Sequence, residues 1–547
     1  MKLEQPSQEL SWWQRGVVYQ IYPRSFKDTT GNGVGDLQGV IDELDYLNDG
    51  STDPASSLGV DAIWLSPFYP SPMADFGYDV ADYCDVNTLF GSLETFDILV
   101  SEAHRRGIKI IIDYVPNHSS NQHAWFVESR SSRNSAKRDW YIWRDPKPDG
   151  SLPNNWGGVF GGPAWTWDEP TGQYYLHQFL KEQPDLNWRN PELRQAMFDV
   201  LRFWLDRGVD GFRMDVVGMI MKDPEMRDNP PDPKADPDLP DNDIYGRNLH
   251  LYNEDQDEVH QILREFRKIL DQYSDRCVIG EIWYKLPSWV KYFGKNGDGL
   301  HLPFNFRLLE LPWDAVTFRR SIDELDAATP SFGWPNYVLG NHDRRRLASR
   351  IGAAQARVAA MLLLTLRGTP TLYYGDELGL ENGIITAAIM QDPQGQNLGL
   401  EKTRDQERTP MQWNSQHYAG FSAGKPWLPV GPDYEVRNVA VQKDDPVSML
   451  NLYRQLLKYR RNSPVLEGGT YRSLDVEHED CFVYLREHLD GSKVIALNFT
   501  DQPRSISVPY GDRGEIALST HLDRTEEVSL SEFSLRPHEG VIVEVAE

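Results

Sequence analysis

The stretch IKIIIDYVPNH (Ile108–His118) is an apolar run that ends in an aspartate, an asparagine and a histidine. Short runs of this kind, rich in Ile and Val and followed by a turn residue, predict a buried β-strand. A buried strand would not carry Asp113 or His118 without a chemical reason. We therefore expect the end of this strand to belong to a functional site.

Three further segments show charged side chains that follow or close an apolar run: GFRMDV (Gly211–Val216), GEIW (Gly280–Trp283) and NHD (Asn341–Asp343). Between the strand-like runs lie helical patterns, such as Leu93–Gly107 and Asn190–Gly208, each with a glycine stop. Eight strands that alternate with helices predict an α/β fold, the (β/α)8 TIM barrel. The predicted strands are Val17–Pro23, Ala62–Phe68, Ile108–Val115, Gly211–Val216, Cys277–Trp283, Pro303–Phe306, Tyr337–Asp343 and Thr369–Glu377.

The length and composition of the connections predict the domains. Residues 117–188, between the third and fourth strands, are too many for a simple βα loop and predict a small irregular subdomain inserted over the barrel mouth. Residues 469–547 show short alternating strands with Asp-Gly turns, which predict a C-terminal all-β domain, a β-sandwich. The catalytic barrel is then expected in two parts, 1–116 and 189–468. Two more long segments, 223–243 and 377–433, are expected at the same mouth.

Charge and cysteine content limit the classes of partner. The chain has 56 Lys and Arg against 82 Asp and Glu, a net charge of −26, which argues against nucleic acid and anionic membranes. Cys84, Cys277 and Cys481 are far apart and lack metal-ligand spacing, so a disulfide framework is not expected. The N-terminal MKLEQPSQELSWWQRG has no apolar core of a secretory signal, and no apolar run has spanning length. These features predict a cytoplasmic protein that does not bind membranes.

Three carboxylates follow predicted strands whose ends share one barrel mouth. Retaining glycoside hydrolysis needs one carboxylate to attack the anomeric carbon and a second carboxylic acid to protonate the leaving oxygen. Asp215 is the predicted nucleophile, because Arg213 points to the same face and favours its ionised form. Glu281 is the predicted acid/base, because apolar and aromatic neighbours favour its protonated form. The side chains expected to hold sugar hydroxyls are Asp343, His342 and His118.

Each segment taken alone has a simpler explanation. An Arg-x-Asp pair on a strand is more often a structural ion pair, and a glutamate after a strand more often caps a helix or forms a salt bridge. A single histidine near a strand end is more often a structural residue. Four such segments in barrel order are much harder to explain in this way, so they favour a glycosidase site.

A longer series of motifs runs through almost the entire chain: WWQRGVVYQIYPRSF, FGYDVADY, DYVPNH, QPDLNW, GFRMDV, GEIW, LGNHD, GTPTLYYGDELG and RTPMQW. In this combination the chain resembles the α-amylase superfamily of glycoside hydrolases, and within it the α-glucosidase and oligo-1,6-glucosidase branch. The resemblance implies that Asp215 is the nucleophile, Glu281 the proton donor and Asp343 the transition-state stabiliser. It also implies that Arg213, His118 and His342 surround the first sugar subsite.

The resemblance further implies a closed pocket. Asp75 and Tyr78 match residues that grip the non-reducing glucose, with Tyr78 stacked on its ring, and Arg408 matches an arginine that pairs with that aspartate. Phe179 and Gln183 are expected nearby. A closed pocket implies exo-action, so we expect release of α-glucose from short maltose- or isomaltose-type oligosaccharides. The simpler alternative for Asp75 and Arg408 is a surface ion pair, which is worth little.

The loop DTTGNGVGD (Asp28–Asp36) resembles the calcium loop of the family. Hard cations bind several oxygen ligands, and Asp28, Thr30, Asn32, Asp36 and the Val34 carbonyl are the candidates here. Thr30 and Asn32 depart from the acid-rich pattern, which predicts weaker Ca²⁺ binding or a shift toward Mg²⁺. A glycine-rich turn without metal is the alternative. No organic cofactor is expected.

Linkage choice and reaction outcome stay open at the level of sequence. Val216 follows the predicted nucleophile, and in the resembling branch valine here accompanies action on α-1,6 bonds, but one residue does not decide between α-1,4 and α-1,6. A transglucosylase or a trehalose-synthase-like isomerase would use the same covalent intermediate and is the main alternative. A non-catalytic, transporter-associated homologue is not expected, because the carboxylates are complete. The expected partner is a small neutral oligosaccharide, and both a monomer and a small homo-oligomer remain open.

Overall fold

A computed structural model describes residues 10–51 and 57–546 of the chain. Residues 1–9, on which part of the localisation prediction rests, lie outside the described residues. Eight parallel strands form the central sheet: β1 (Val18–Ile21), β2 (Ala62–Leu65), β3 (Lys109–Tyr114), β4 (Gly211–Met214), β5 (Cys277–Gly280), β6 (Leu302–Pro303), β7 (Asn336–Val338) and β8 (Thr369–Tyr373). Their spatial order, β7-β8-β1-β2-β3-β4-β5-β6, gives a nearly closed barrel and confirms the predicted fold class.

A side chain bridges the gap between β6 and β7. Asn336 donates from Nδ2 to the carbonyl of Pro303 (2.5 Å) and accepts at Oδ1 from the N–H of Asn305 (3.1 Å). Pro303 has no N–H to give to a strand ladder, and β6 (Leu302–Pro303) is shorter than the predicted strand Pro303–Phe306. Because Asn336 is buried, its bonds satisfy backbone groups that water does not reach.

Helices surround the barrel where the sequence patterns predicted them. The patterns at Leu93–Gly107 and Asn190–Gly208 form the helices Leu93–Arg105 and Pro191–Asp206. Asn190 caps the second helix by accepting two N–H groups of its first turn, which otherwise have no partner in a helix. The other α-helices of the barrel and its loops are Trp12–Arg15, Leu37–Asp42, Leu44–Leu47, Val259–Leu270, Leu286–Trp289, Arg307–Glu310, Ala315–Ala328, Leu347–Ile351, Ala353–Thr365, Pro393–Leu398, Val439–Gln442, Met449–Arg461 and Pro464–Gly468.

The insertion after β3 is more regular than predicted. It contains the helix Ala124–Arg130 and a three-stranded antiparallel sheet in the order Trp143–Arg144, Gln173–Leu176, Trp165–Asp168. A bridge between His118 and Asp185 joins its two ends. The insertion therefore holds His118 beside the barrel mouth.

The C-terminal region from Thr470 is the predicted antiparallel all-β domain. Its strand Cys481–His488 alternates between two cores: Val483 and Leu485 face the core of the domain, whereas Phe482 and Tyr484 face the main core that includes the barrel. The domain is thus attached to the barrel by an apolar sheet face. A six-stranded sheet has the order Thr470–Leu474, Cys481–His488, Gly491–Asn498, Gly540–Val545, Arg513–Ser519, Glu527–Ser529, and a two-stranded sheet pairs Arg504–Ile506 with Phe533–Leu535.

No helix within residues 10–51 and 57–546 combines the length and the apolar character needed to cross a membrane.

Candidate active site

The four charged segments lie at the carboxyl ends of their strands, but all four strands end earlier than predicted, β3 by one residue and the other three by two or more. β4 ends at Met214 and β5 at Gly280, so Asp215 and Glu281 are the first residues outside the ladder. β7 ends at Val338, and NHD lies in a turn in which the Asp343 N–H donates to Asn341 Oδ1 (3.0 Å). Because these residues follow the strands, their side chains do not have to alternate between the two faces of the sheet and can point toward a common centre.

A pocket of about 300 Å³ occupies that centre, at the small end of the range for ligand pockets. Three of the predicted residues, Arg213, Gln183 and Arg408, are buried behind its wall. The predicted residues that line the pocket are Asp75, Tyr78, His118, Phe179, Asp215, Glu281, His342 and Asp343.

Arg213 lies fully buried under the pocket and joins three carboxylates. Its Nη1 donates to Asp113 Oδ1 (2.9 Å) and Asp215 Oδ1 (2.7 Å), and its Nη2 donates to Glu281 Oε2 (2.5 Å). The guanidinium also lies over the ring of Trp64, 5.0 Å from its centroid. One cation therefore holds both the predicted nucleophile and the predicted acid/base.

Sharing one cation among three carboxylates sets their ionisation. Burial raises the pKa of Asp215 well above its usual range; Arg213 opposes this rise, while Glu281 and Asp113 add to it. Burial also raises the pKa of Asp113 to about 7, again against Arg213. Arg213 therefore acts in the predicted direction, toward the ionised form of Asp215, but its charge is shared with Asp113 and Glu281.

Glu281 accepts N–H groups on both carboxylate oxygens. Oε2 accepts from Arg213 and from the Val216 N–H (3.1 Å), and Oε1 accepts from Trp283 Nε1 (2.6 Å). Val216 reaches this position with φ +34° and ψ +42°, a left-handed backbone that β-branched residues rarely adopt. The surroundings of Glu281 are therefore more polar than predicted, and the backbone after the nucleophile helps to hold it.

Asp343 lies between two arginines and a histidine. Its Oδ1 is 3.0 Å from Arg408 Nη2 and 3.3 Å from Arg404 Nη1, and its Oδ2 is 3.2 Å from His342 Nε2. Burial alone would raise the pKa of Asp343, but His342 and the two arginines lower it below its usual range. These neighbours thus hold Asp343 in its ionised form.

The His342 ring lies between those of Tyr22 (5.8 Å between centroids) and Tyr78 (5.4 Å), beside the Tyr78 ring and nearly parallel to it. Burial lowers the pKa of His342 well below its usual range, so the ring is neutral and one of its nitrogens acts as an acceptor. Its Nδ1 lies 2.8 Å from Gln20 Nε2, and its Nε2 lies 2.7 Å from the Tyr78 hydroxyl. Gln20 and Tyr78 thus fix the orientation of the His342 ring through its two nitrogens.

Asp75 pairs with Arg404 and not, as predicted, with Arg408. Arg404 Nη2 lies 2.8 Å from Asp75 Oδ1 and 2.6 Å from Asp392 Oδ1. Arg408 is fully buried and is engaged by Asp343 and by the His342 carbonyl, which accepts from its Nε (2.8 Å). Both arginines lie in the loop after β8, and the sequence does not show which of them faces the pocket.

Gln183 connects Asp75 to His118. Its Nε2 donates to Asp75 Oδ2 (3.1 Å) and lies 3.1 Å from His118 Nε2, while Phe179 packs 5.0 Å from the His118 ring. Burial raises the pKa of Asp75 to about 6 against Arg404, and burial lowers the pKa of His118 to about 3. The closed end of the pocket thus presents a neutral imidazole beside a carboxylate that titrates near neutrality.

The sequence reasoning missed several residues of the site. Asp113 lies inside a motif that we quoted, and its place under the pocket follows from its strand, but we gave it no role. Arg404 lies four residues before the arginine that we chose. Several other lining residues lie outside the quoted motifs, and no signal in the sequence singled them out; they include Phe160, Met219, Tyr245, Glu254 and Tyr284.

The loop predicted to bind a metal ion is closed by its own hydrogen bonds. Asp28 accepts the N–H of Gly33 (2.8 Å), Asn32 Oδ1 accepts the N–H of Val34 (2.8 Å), and Asp36 caps the following helix. Across the part of the chain that the structure describes, no three His, Cys, Asp or Glu side chains gather in a way that could hold a metal ion. Two carboxylates, an amide oxygen and a carbonyl nevertheless have the chemistry of a hard-cation site.

Paired carboxylates at the carboxyl ends of parallel barrel strands define this protein as a glycoside hydrolase. The family model described as "Alpha amylase, catalytic domain" matches residues 20–469, and the chain belongs to the α-amylase family. This confirms the resemblance found in the motifs.

Named relatives cover nearly the whole chain. It is 41% identical over 513 residues to a probable α-glucosidase of Rhizobium meliloti (strain 1021), with 91% of each chain covered. It is 39% identical over 571 residues to an oligo-1,6-glucosidase of Heyndrickxia coagulans, with 97% of this chain and 99% of that one covered.

Solved structures of similar proteins include enzymes that transfer or rearrange glucosyl groups. The α-glucosyl transfer enzyme XgtA superposes with a TM-score of 0.91 at 41% identity, covering 98% of this chain and 100% of that one. The isomaltulose synthase from Erwinia rhapontici NX5 has a TM-score of 0.88 at 35% identity, with the same coverage.

Proposed function

We propose that this protein is a retaining, exo-acting α-glucosidase that releases α-glucose from the non-reducing end of short maltose- or isomaltose-type oligosaccharides. The observation that carries the proposal is the bridge through Arg213. One guanidinium contacts both Asp215 and Glu281, which suits the short carboxylate separation of about 5–5.5 Å that a retaining mechanism requires.

The reaction has two steps. Asp215 attacks the anomeric carbon while the bond to the leaving oxygen breaks, and Glu281 gives its proton to that oxygen. Water then attacks the same carbon and loses a proton to Glu281, which breaks the ester bond to Asp215. Asp343, ionised beside Arg404 and Arg408, accepts hydrogen bonds from sugar hydroxyls during both steps.

Exo-action is supported by the closed end of the pocket. Asp75, Arg404 and Asp343 are joined by ion pairs across that end, with distances of 2.8 and 3.3 Å. A continuous polymer would have to pass through these pairs, whereas a terminal glucose ends against them. The names of the curated relatives, an α-glucosidase and an oligo-1,6-glucosidase, agree with a substrate of this kind.

The second candidate is a transglucosylase or a trehalose-synthase-like isomerase that uses the same intermediate. It is favoured by the similarity to an α-glucosyl transfer enzyme and to isomaltulose synthases. The two functions differ in whether water or a sugar hydroxyl attacks the glucosyl-enzyme.

Initial rates on maltose, isomaltose, trehalose and sucrose, with product identification, separate the two candidates. Hydrolysis of maltose or isomaltose yields glucose alone at early times, whereas a transglucosylase also forms a longer oligosaccharide and an isomerase yields a new disaccharide. Asp215→Asn is expected to lower kcat by roughly 10⁴-fold or more, as removal of a nucleophile does in other enzymes. Turnover near that of the wild type in Asp215→Asn would overturn the assignment of the nucleophile.

We also propose that the protein is cytoplasmic. We further propose a structural Ca²⁺ or Mg²⁺ site whose ligands are Asp28, Thr30, Asn32, Asp36 and the Val34 carbonyl. Metal binding would fix the loop between β1 and the helix Leu37–Asp42. The test is the thermal unfolding midpoint of chelator-treated protein, which should rise when Ca²⁺ or Mg²⁺ is added. An unchanged midpoint with both ions would exclude the proposed site.

A further inference from the structure

The outer wall of the pocket contains a buried carboxylate that the mechanism does not use. Glu254 is only 8% exposed, yet it lines the pocket together with Asp215 and Glu281. Its segment is held against the loop that follows the nucleophile, because the Asp255 N–H donates to the Gly218 carbonyl (2.9 Å). Glu254 therefore has a defined position relative to the reacting carboxylates.

Tyr284 completes this wall from the other catalytic loop, three residues after Glu281. A Cβ atom added to Gly218 would lie 2.3 Å from the Tyr284 hydroxyl oxygen and 2.4 Å from its ring. Only glycine at this position leaves room for the tyrosine. The two loops that carry Asp215 and Glu281 are thus fitted to each other through the pair Gly218 and Tyr284.

Tyr245 and Tyr284 both lie against Glu254. The Tyr245 hydroxyl donates to Glu254 Oε1. Burial raises the pKa of Glu254, and His250 and the hydroxyls of Tyr245 and Tyr284 oppose that rise. His250 stacks on Tyr245 (3.8 Å between centroids) and lies 3.7 Å from Oε1. A carboxylate has about four acceptor positions, so two hydroxyl donors leave acceptor capacity on the side that faces the pocket.

The position of Glu254 and Tyr284 in the pocket indicates which part of the substrate they would contact. The closed end formed by Asp75, Arg404 and Asp343 receives the terminal glucose, and Glu281 must reach the bond that breaks. Glu254 lies in the loop that follows Asp215, and Tyr284 lies in the loop that follows Glu281. They therefore face the group that departs when the bond breaks.

We propose that Glu254, held by Tyr245 and Tyr284, is a specificity-determining residue that selects a sugar as the leaving group by accepting hydrogen bonds from its hydroxyls. This inference rests on the proposed glucosidase function. A site built to hydrogen-bond a substrate hydroxyl discriminates strongly against a group that lacks it, because its buried polar atoms are then left unpaired. Aryl glucosides, whose leaving group offers no such hydroxyls, gain nothing from Glu254.

The test compares disaccharides with 4-nitrophenyl α-glucoside in the variants Glu254→Gln and Glu254→Leu. We expect Glu254→Leu to lower kcat/KM on maltose or isomaltose by about tenfold or more and to leave kcat/KM on the aryl glucoside unchanged or raised. Glu254→Gln keeps the shape of the side chain and one acceptor oxygen, so kcat/KM on disaccharides should fall less in this variant than in Glu254→Leu. The matched control is Glu225→Gln, whose carboxylate is 74% exposed at the side chain; it should change neither rate.

Two results would overturn the inference. An equal loss on disaccharide and aryl glucoside in both Glu254 variants would show a merely structural role. Unchanged disaccharide kinetics in Glu254→Leu would show that the carboxylate makes no contact with the leaving group. Failure of the wild type to cleave any α-glucoside, aryl or disaccharide, is a separate outcome that would overturn the proposed function and this inference with it.

Discussion

At the residue scale, the guanidinium of Arg213 organises the reacting groups. It contacts Asp113, Asp215 and Glu281 within 2.5–2.9 Å while being fully buried. Neighbouring carboxylates disfavour each other's charge, and a guanidinium between them offsets that repulsion. The same side chain therefore holds the predicted nucleophile and the predicted acid/base beside each other.

The dependence of activity on pH follows from this cluster and from Asp75. The pKa of Asp113 is about 7 and that of Asp75 about 6, both raised by burial. As the pH falls these groups protonate, and the pair between Asp75 and Arg404 weakens. We expect the acid limb of kcat/KM, which reports the free enzyme, to lie near pH 6–7.

Unfolding does not explain such an acid limb. A carboxyl whose folded pKa is raised contributes stability that is present below its unfolded pKa and is lost as the pH rises through the folded pKa. Asp75 and Asp113 therefore do not destabilise the fold between pH 7 and 6, and the thermal midpoint should not fall along with activity because of them. An acid limb of kcat/KM near pH 4, where an ordinary aspartate titrates, would contradict the dependence of activity on the raised pKa values of Asp75 and Asp113.

At the scale of elements, the loop after β8 closes the pocket through Arg404. Its guanidinium spans Asp75, Asp343 and Asp392 and lies 4.5 Å from the centroid of the Phe160 ring, on the insertion after β3. A planar fork can hold several carboxylates and an aromatic face at once, whereas an ammonium group acts as a single point charge. The loop and the insertion are thus joined by one side chain.

The substitution Arg404→Lys should weaken the ion pairs that close the inner end of the pocket. Lysine keeps the charge but loses the fork and the contact with the ring, so we expect KM for maltose to rise by about tenfold with a smaller change in kcat. The exposed Arg345, next to the NHD turn, gives the control variant Arg345→Lys, which should leave both constants unchanged. Equal KM values in wild type and Arg404→Lys would show that Arg404 does not bound the glucose site.

The elements also show what a sequence can and cannot predict. Asp215 and Glu281 were found because each directly follows an apolar strand, and parallel strand ends must meet at one mouth. Arg404 and Arg408 lie four residues apart in an irregular loop, where no periodicity relates position to direction. Glu254, Tyr245 and Tyr284 meet through packing between the loops after β4 and β5, and no motif marked them. The predicted carboxyl ends of these strands lie beyond the observed ones, because the motif residues form turns after the strands and are not part of them.

At the scale of the whole molecule, three parts of the chain converge on one small pocket. The barrel supplies Asp215 and Glu281, the insertion supplies Phe160 and Phe179, and the loops after β7 and β8 supply Asp343 and Arg404. The C-terminal domain contributes no residue to the pocket lining and instead covers apolar barrel surface. The architecture therefore supports one reaction site closed at its inner end.

The most direct test of the central claim is the configuration of the first glucose released. In a proton NMR time course with 4-nitrophenyl α-glucoside, the only glucose formed by hydrolysis comes from the glycosyl-enzyme. Double displacement through Asp215 predicts that α-glucose appears first and converts to the β-anomer only by slow mutarotation. Initial appearance of β-glucose would show a single displacement by water and would contradict the account.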